Sequence, residues 1–585
     1  MIKNYWNKGG KQKRIVIIFS LIIIALLFFM RDDYQPALLF VRKFIFIILL
    51  CGIILFFGLR SFRNQASTGK RIFTLAILAV FFGALYFVGW KMELYDYMKT
   101  YNVFNDLNRV EISKLPLTQN ERIQPLKNIH SMGNESVGET KDVSLPHLVR
   151  VDEENKWTMA IQPTEKYYWQ GMKDNTEEVF SVSSTTPFPR FSNENRIPVT
   201  FAIGESLKFS RNTYNAVVQR FNPWMLVNYE PSDTFYMKND TGQWVEVVSL
   251  IKWKGFFFPY PTFGGVMIIE NGEHDANDYI ERITIGKGEF VAADETKNYP
   301  FLTKQNTLAE KVSRLQAESL KFLGGFSDPL PWNMKTAVKI PDLEADQNQL
   351  PFVTDFNFDG TQISTYNGLY HWFGLEPVGE ERSSLTYSIF IPADGTQQLF
   401  YYNHAEKKQG YAGISAMPSK VRESKKEYDW TVNKAVEFRP YIKDIAGRRR
   451  LFFLGTVASV SEGTGNFDGS ATPDLALIDS EYRDVVWIDV KHPSTWDQEI
   501  YNQLNEAWRS SEGEVNFLNE DTKIIDVVGD DLNSVIINPF DNEVIEETEE
   551  LSIEELQRQV DSIKKLKKTD EIKRLKRELD SLKAL

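Results

Sequence analysis

"LTYSIFIPADGTQQLFYYN", residues 385–403, sets two runs rich in aromatic and β-branched residues on either side of Ala393-Asp394-Gly395. Alternation at a period of two puts successive side chains on opposite faces of a strand, and an Asp-Gly step takes the tight turn between antiparallel strands. The stretch predicts a hairpin. The same texture recurs in "WVEVVSLIKW" (244–253), "GGVMIIENG" (264–272), "RLFFLGTVASV" (450–460) and "DLALIDSEYRDVVWIDV" (474–490). Residues 244–285, 368–403 and 450–490 therefore each read as a three-strand meander.

Helical segments are fewer. "TLAEKVSRLQAESLKFLGG" sets Thr307 three residues before Glu310 in a capping box, aligns Leu308, Val312 and Leu315, and stops at Gly324-Gly325. "NTYNAVVQRFNP" groups Tyr214, Val217, Val218 and Phe221 ahead of Pro223, and "STWDQEIYNQLNEAWRS" spaces Trp496, Ile500, Leu504 and Trp508 by fours. Amphipathic helices among antiparallel strands imply an α+β fold with helices covering the sheets.

At 585 residues the chain is too long for one core. The expected divisions are a membrane region (1–98), a connector (99–148), two α+β regions (149–300 and 301–545) and a helical tail (546–585). In the tail Ile553, Leu556, Val560 and Ile563, then Ile572, Leu575, Leu579 and Leu582, follow coiled-coil spacing, which suits self-association.

Three uncharged runs open the chain, and membrane spans are expected at about 14–30, 36–59 and 72–90. "RDDYQP" after the first is no signal-peptide cleavage site. Arg42 and Lys43, early in the second, are expected to snorkel to headgroups. Lys3, Lys8, Lys11, Lys13 and Arg14 precede the first span, and Arg60, Arg63, Lys70 and Arg71 separate the second from the third. Basic loops stay in the cytoplasm, so the expectation is a multi-pass cell-membrane protein with a cytoplasmic N-terminus and a large extracytoplasmic domain.

Residues 1–100 carry 14 Lys/Arg against 4 Asp/Glu, which leaves 53 against 75 for the rest. An acidic domain argues against nucleic acid as a partner. The single cysteine, Cys51, excludes an intrachain disulfide and any zinc site built on several thiolates.

No phosphate-binding Gly-rich loop, HExxH or G-x-S-x-G motif occurs; "AIGESL" shares only Gly204 and Ser206 with the last. Asp355, Asn357 and Asp359 begin like a calcium loop, but its twelfth position is Tyr366, so a hairpin turn is the better reading and calcium is at most a weak ligand there. No other cofactor is expected. "KWKGFFFPYPTFGG" (252–265) offers Trp253, Phe256, Phe258 and Tyr260 as a surface for a ligand, lipid or partner. The expectation is a noncatalytic envelope or membrane-complex protein whose domain binds a protein, glycan or small ligand. The alternatives are an extracytoplasmic hydrolase using carboxylate or Ser chemistry, and an accessory subunit of a transport assembly. The hydrolase needs carboxylates converging in one pocket.

Overall fold

The computed structural model describes residues 10–64, 67–86, 93–164, 166–173, 175–187, 189–272, 284–330, 332–334, 336–343, 349–358, 367–379, 383–405, 410–445, 448–460 and 473–488. Contacts group residues 1–444 with 449–511 in one unit and 445–448 with 512–585 in another; the first is described below. The 494–510 helix and the 546–585 tail lie outside the described residues.

Helices α1 (Gly10–Phe29), α2 (Arg31–Asn64) and α3 (Thr68–Tyr86) come first. By length and composition α2 can cross a bilayer, whereas the apolar parts of α1 and α3, Ile17–Phe29 and Arg71–Gly83, are shorter. Helix α2 begins five residues before Pro36, which lies inside it.

The connector expected over 99–148 is built into the fold instead. It supplies α4 (Leu94–Asp106), β1 (Asn108–Glu111), β2 (Leu117–Gln119), α5 (Leu126–Ser136), β3 (Lys141–Val143) and the start of β4 (His147–Val151). Strand β4 pairs with β5 (Glu154–Pro163) in a five-stranded sheet ordered β3-β5-β6-β7, with α6 (Tyr168–Lys173) between β5 and β6 (Thr176–Ser183), and β7 at Arg196–Phe201. Helices α7 (Thr213–Arg220) and α8 (Pro223–Asn228) follow, each capped by an Asn side chain, Asn212 and Asn222.

Strands β8 (Tyr229–Lys238), β9 (Trp244–Lys254), β10 (Tyr260–Glu270) and β11 (Glu289–Ala292) form an antiparallel sheet. Helix α9 (Glu310–Glu318) begins three residues after the expected cap, and ahead of it the N–H groups of Thr307 and Leu308 both donate to Ala393 O at 2.7 Å. The largest sheet holds β12 (Val338–Lys339), β13 (Phe352–Asn357), β14 (Gly368–Pro377), β15 (Tyr387–Pro392) and β16 (Gln398–Asn403), with β2 on one edge and β1, parallel to β16, on the other. After α10 (Met417–Ser424) come β17 (Asn433–Ile445), β18 (Arg448–Ser459), β19 (Asp474–Asp479) and β20 (Val485–Ile488).

The hairpin of 385–403 is β15-β16, and Gly395 at φ 81° takes the left-handed turn position that glycine allows. The meanders expected over 368–403 and 450–490 are present, whereas that of 244–285 supplies two strands there, β9 and β10, and its sheet is completed by β11 beyond the expected bound and by β8 before it. The expected boundary at 300 does not separate cores: one cluster joins Val149, Phe201 and Val247 to Phe356, Phe390 and Phe453.

That core also takes in Leu39 of α2. The first four turns of α2 lie against the domain on one stripe, Arg31, Gln35, Leu39, Arg42/Lys43 and Phe46, at helical spacing. Arg31 donates to the carbonyls of Gln219 and Thr284, and Gln35 Nε2 to Tyr229 O at 2.7 Å. Arg42 is not left to snorkel: its Nε donates to Asn228 Oδ1 (3.0 Å) and its Nη2 to Gly255 O (2.6 Å). Lys43 likewise pairs with Glu230 at 2.9 Å and lies 4.1 Å from the Trp253 ring centroid.

Candidate functional site

A cavity of about 260 Å³ opens where the sheets meet, lined by Trp157, Phe235, Leu308 and Phe352 among apolar residues, and by Arg122, His147, Asp233, Asn306, Glu310, His371 and Glu437 among polar ones. Backbone irregularity aims two of these groups. The ladder between β8 and β9 shifts between Pro231 and Thr234, so Ser232 and Asp233 form a bulge, a device that redirects side chains. Glu437 sits in β17 at φ 53°, a conformation L-residues adopt at a cost of about 1–3 kcal/mol.

Glu437 is anchored at the inner wall. Its Oε1 accepts the Leu126 N–H at 2.8 Å, and Arg122 Nη1 lies 3.1 Å from its Oε2. Arg122 stands 5.2 Å over the Trp157 ring. The Trp157 indole N–H finds no hydrogen-bond partner among the described residues. Burial draws the Arg122 guanidinium down from its ordinary value, and Glu437 opposes that.

The opposite wall is acidic. Desolvation, and then the charge of Asp233, raise the carboxyl of Glu310, while Arg314 opposes them; Glu310 reaches solvent at the mouth, which screens the effect. Desolvation lowers His147 and Asp233 only partly offsets it, so the ring is neutral near pH 7. The lining then carries three carboxyl groups, Asp233, Glu310 and Glu437, against one arginine. Behind Asp233 the acid row continues inward. Burial, reinforced by Asp233, pushes Glu205 up to about 7, and burial, reinforced by Glu205, pushes Glu246 up to about 8. Thr213 Oγ1 donates to Glu246 Oε1 at 2.9 Å, and Glu246 Oε2 has no hydrogen-bond partner among the described residues.

His371 joins Ser313 Oγ at Nδ1 (2.6 Å) and Asn306 Oδ1 at Nε2 (2.9 Å), the connectivity of a nucleophile, base and orienting group. Ser313 is fully buried on α9, does not line the cavity, and also donates to Glu310 O. Burial holds His371 at about 3. This trio is a buried clamp between α9 and β14. Ser206 of "AIGESL" is no nucleophile either, since its hydroxyl donates to Gln162 Oε1 at 2.5 Å.

The residues singled out from sequence lie elsewhere. Asp355 is buried in β13, where it accepts N–H groups from Gln119 (3.0 Å), Asn120 (2.9 Å) and Asn155 (3.0 Å). Amide donors of β2, β5 and their turns thus take the carboxylate proposed for calcium. Asn357 pairs with Leu117 in the ladder, and Asp359 lies outside the described residues. Trp253 and Tyr260 are buried, and the Trp253 indole donates to Glu230 at 2.9 Å. Phe256 is exposed and Phe258 half-buried, with the exposed Phe257 between them. The cavity residues gave little warning. Pro231 inside a strand-like run was the one local sign of the bulge that aims Asp233.

No protein-family model, no curated protein and no solved structure matches the chain.

Proposed function

We propose that the protein is a membrane-anchored, noncatalytic binder whose extracytoplasmic domain takes a small organic cation with an apolar body into the cavity. One observation carries this reading: aromatic and aliphatic walls enclose a space lined by three carboxyl groups and one arginine, with His147 kept neutral. Apolar walls supply affinity, and a few placed charges select the ligand. The α2–α3 pair crosses the bilayer, and α1 makes a third crossing with the N-terminus in the cytoplasm. The contacts of Arg31, Gln35 and Lys43 with the domain support its placement on the side of the α1–α2 turn, opposite the basic Arg60–Arg71 turn. Self-association through residues 546–585 completes the proposal.

Calorimetry on the full chain in detergent, with benzyltrimethylammonium and its uncharged carbon isostere neopentylbenzene, tests the ligand class. The cation binds at least about tenfold tighter, a difference of about 1.4 kcal/mol. Equal affinities, or none, refute the proposal.

Hydrolysis is the second reading, favoured by Asp233 and Glu310 lining one cavity with Asp233 raising Glu310. It requires turnover of a glycoside or ester that both Asp233→Asn and Glu310→Gln abolish.

A further inference from the structure

The turn between β9 and β10 presents Phe256 and Phe257, 51% and 56% exposed, and the start of α8 presents Trp224, 70% exposed. Exposed aromatics on a soluble face cost free energy; the same side chains at a bilayer surface gain it. Their position relative to α2 fixes which applies. The Phe257 ring packs at 4.9 Å against Phe46, and Gly255, beside Phe256, accepts from Arg42. On the other flank Asn228 at the end of α8 accepts from Arg42. All three aromatics therefore sit around the segment of α2 where it leaves the domain.

The length of α2 decides how deep that segment lies. From Phe46 to Arg60 it rises only about 21 Å, well short of the ~30 Å hydrocarbon layer. Measured outward from Arg60, ~30 Å ends near Phe40, about six residues beyond Phe46. Phe40 and Val41 are themselves exposed, 59% and 45%, on the side of α2 away from the domain. Arg42 and Lys43 lie at this depth, and their heads turn to Asn228, Gly255 and Glu230 of the domain, with Arg42 Nη1 buried and without a hydrogen-bond partner among the described residues.

We infer that Phe256, Phe257 and Trp224 form a collar that enters the outer leaflet around α2, so that the domain rests on the lipid rather than standing clear of it on its anchor. Lys252, exposed on the strand leading to the turn, is placed for a lipid phosphate, while Lys254 is paired with Asp106. The collar rests on the membrane-spanning reading proposed above, and the test separates the two.

Single cysteines at Phe257, Trp224, Phe56 of α2 and Thr241 of the β8–β9 turn, in a Cys51→Ala background, carry an environment-sensitive fluorophore in the full chain reconstituted in phosphatidylcholine nanodiscs. Nitroxide lipids and aqueous iodide are the quenchers. The collar requires several-fold stronger lipid quenching at 257 and 224 than at 241, with position 56 quenched from lipid as the span control. If 56 responds to lipid while 257 and 224 behave like 241, the collar is wrong and the span stands. If 56 also fails to respond, the span and the collar fall together. If neither quencher reaches 257, a protein surface covers it and the collar is again wrong.

Discussion

Two of the places where the domain buries polar side chains treat them differently. Along the docked half of α2, Arg31, Gln35, Arg42 and Lys43 each meet carbonyl, amide or carboxylate partners. Both places leave some buried atoms without a hydrogen-bond partner among the described residues, Arg31 Nε and Arg42 Nη1 at the joint, Glu246 Oε2 and the Trp157 indole near the cavity, but only behind the cavity do acids crowd together, and there Glu205 and Glu246 are pushed toward neutrality. Cations set against oxygen acceptors make a joint; like charges gathered in one row make a site with polarity to spare. The comparison can be broken from either end.

The largest effect belongs to Glu246. Its folded-state pKa is raised, so its contribution is fully present below the unfolded value near 4.5 and is lost as pH rises to about 8. Glu246→Gln is expected to be more stable than the parent at about pH 9, by up to about 4 kcal/mol, and nearly equal to it at about pH 5. Urea midpoints at the two pH values check this, and equal midpoints at high pH would remove the acid row from the account.

Next is the joint itself. Leu39→Ala empties a core position and should cost about 3 kcal/mol of domain stability, whereas Leu55→Ala, on the exposed half of α2, should cost the domain less than about 0.5 kcal/mol. Equal effects would mean that the two halves of α2 do not differ. Lys43→Ala is expected to cost about 1–2 kcal/mol near neutrality. Desolvation pushes Glu230 up, but the hydrogen bond and charge of Lys43, helped by Lys311, pull it below its ordinary range. A depressed carboxylate stabilises above its unfolded pKa and loses that stabilisation as pH falls through the folded value, so the penalty should fade in acid below about pH 4. The smallest effect is on binding. Asp233→Asn should weaken benzyltrimethylammonium by about tenfold, and parent affinity should rise between about pH 5 and pH 8 as Glu310 ionises.

Period-two alternation and turn chemistry made the hairpin of 385–403 and the meanders of 368–403 and 450–490 legible, because both are local signals. Residues 99–148 read as a connector because β1 and β2 are four and three residues long and gain their stability from pairing with β16 and β13, hundreds of positions away. The capping box at Thr307 marked the approach to a helix rather than its first turn, for the Thr307 and Leu308 N–H groups donate to Ala393 O and the helical bonding begins at Ala309 O, which accepts from Val312 and Ser313. The docked stripe of α2 was hidden by hydropathy, which merges Leu39 in a protein core with Phe57 outside one. The cavity was least legible. Arg122, Asp233, Glu310 and Glu437 come from four separate elements or loops, and only the meeting of the sheets brings them together.

The anchored, outward-facing domain is the central claim, and cysteine accessibility tests it most directly. In a Cys51→Ala background, a membrane-impermeant maleimide is applied to intact cells expressing the full chain with Thr241→Cys or Ser67→Cys, both exposed turn positions. The account predicts labelling at 241 in intact cells and at 67 only after permeabilisation; labelling at 67 with protection at 241 would contradict it.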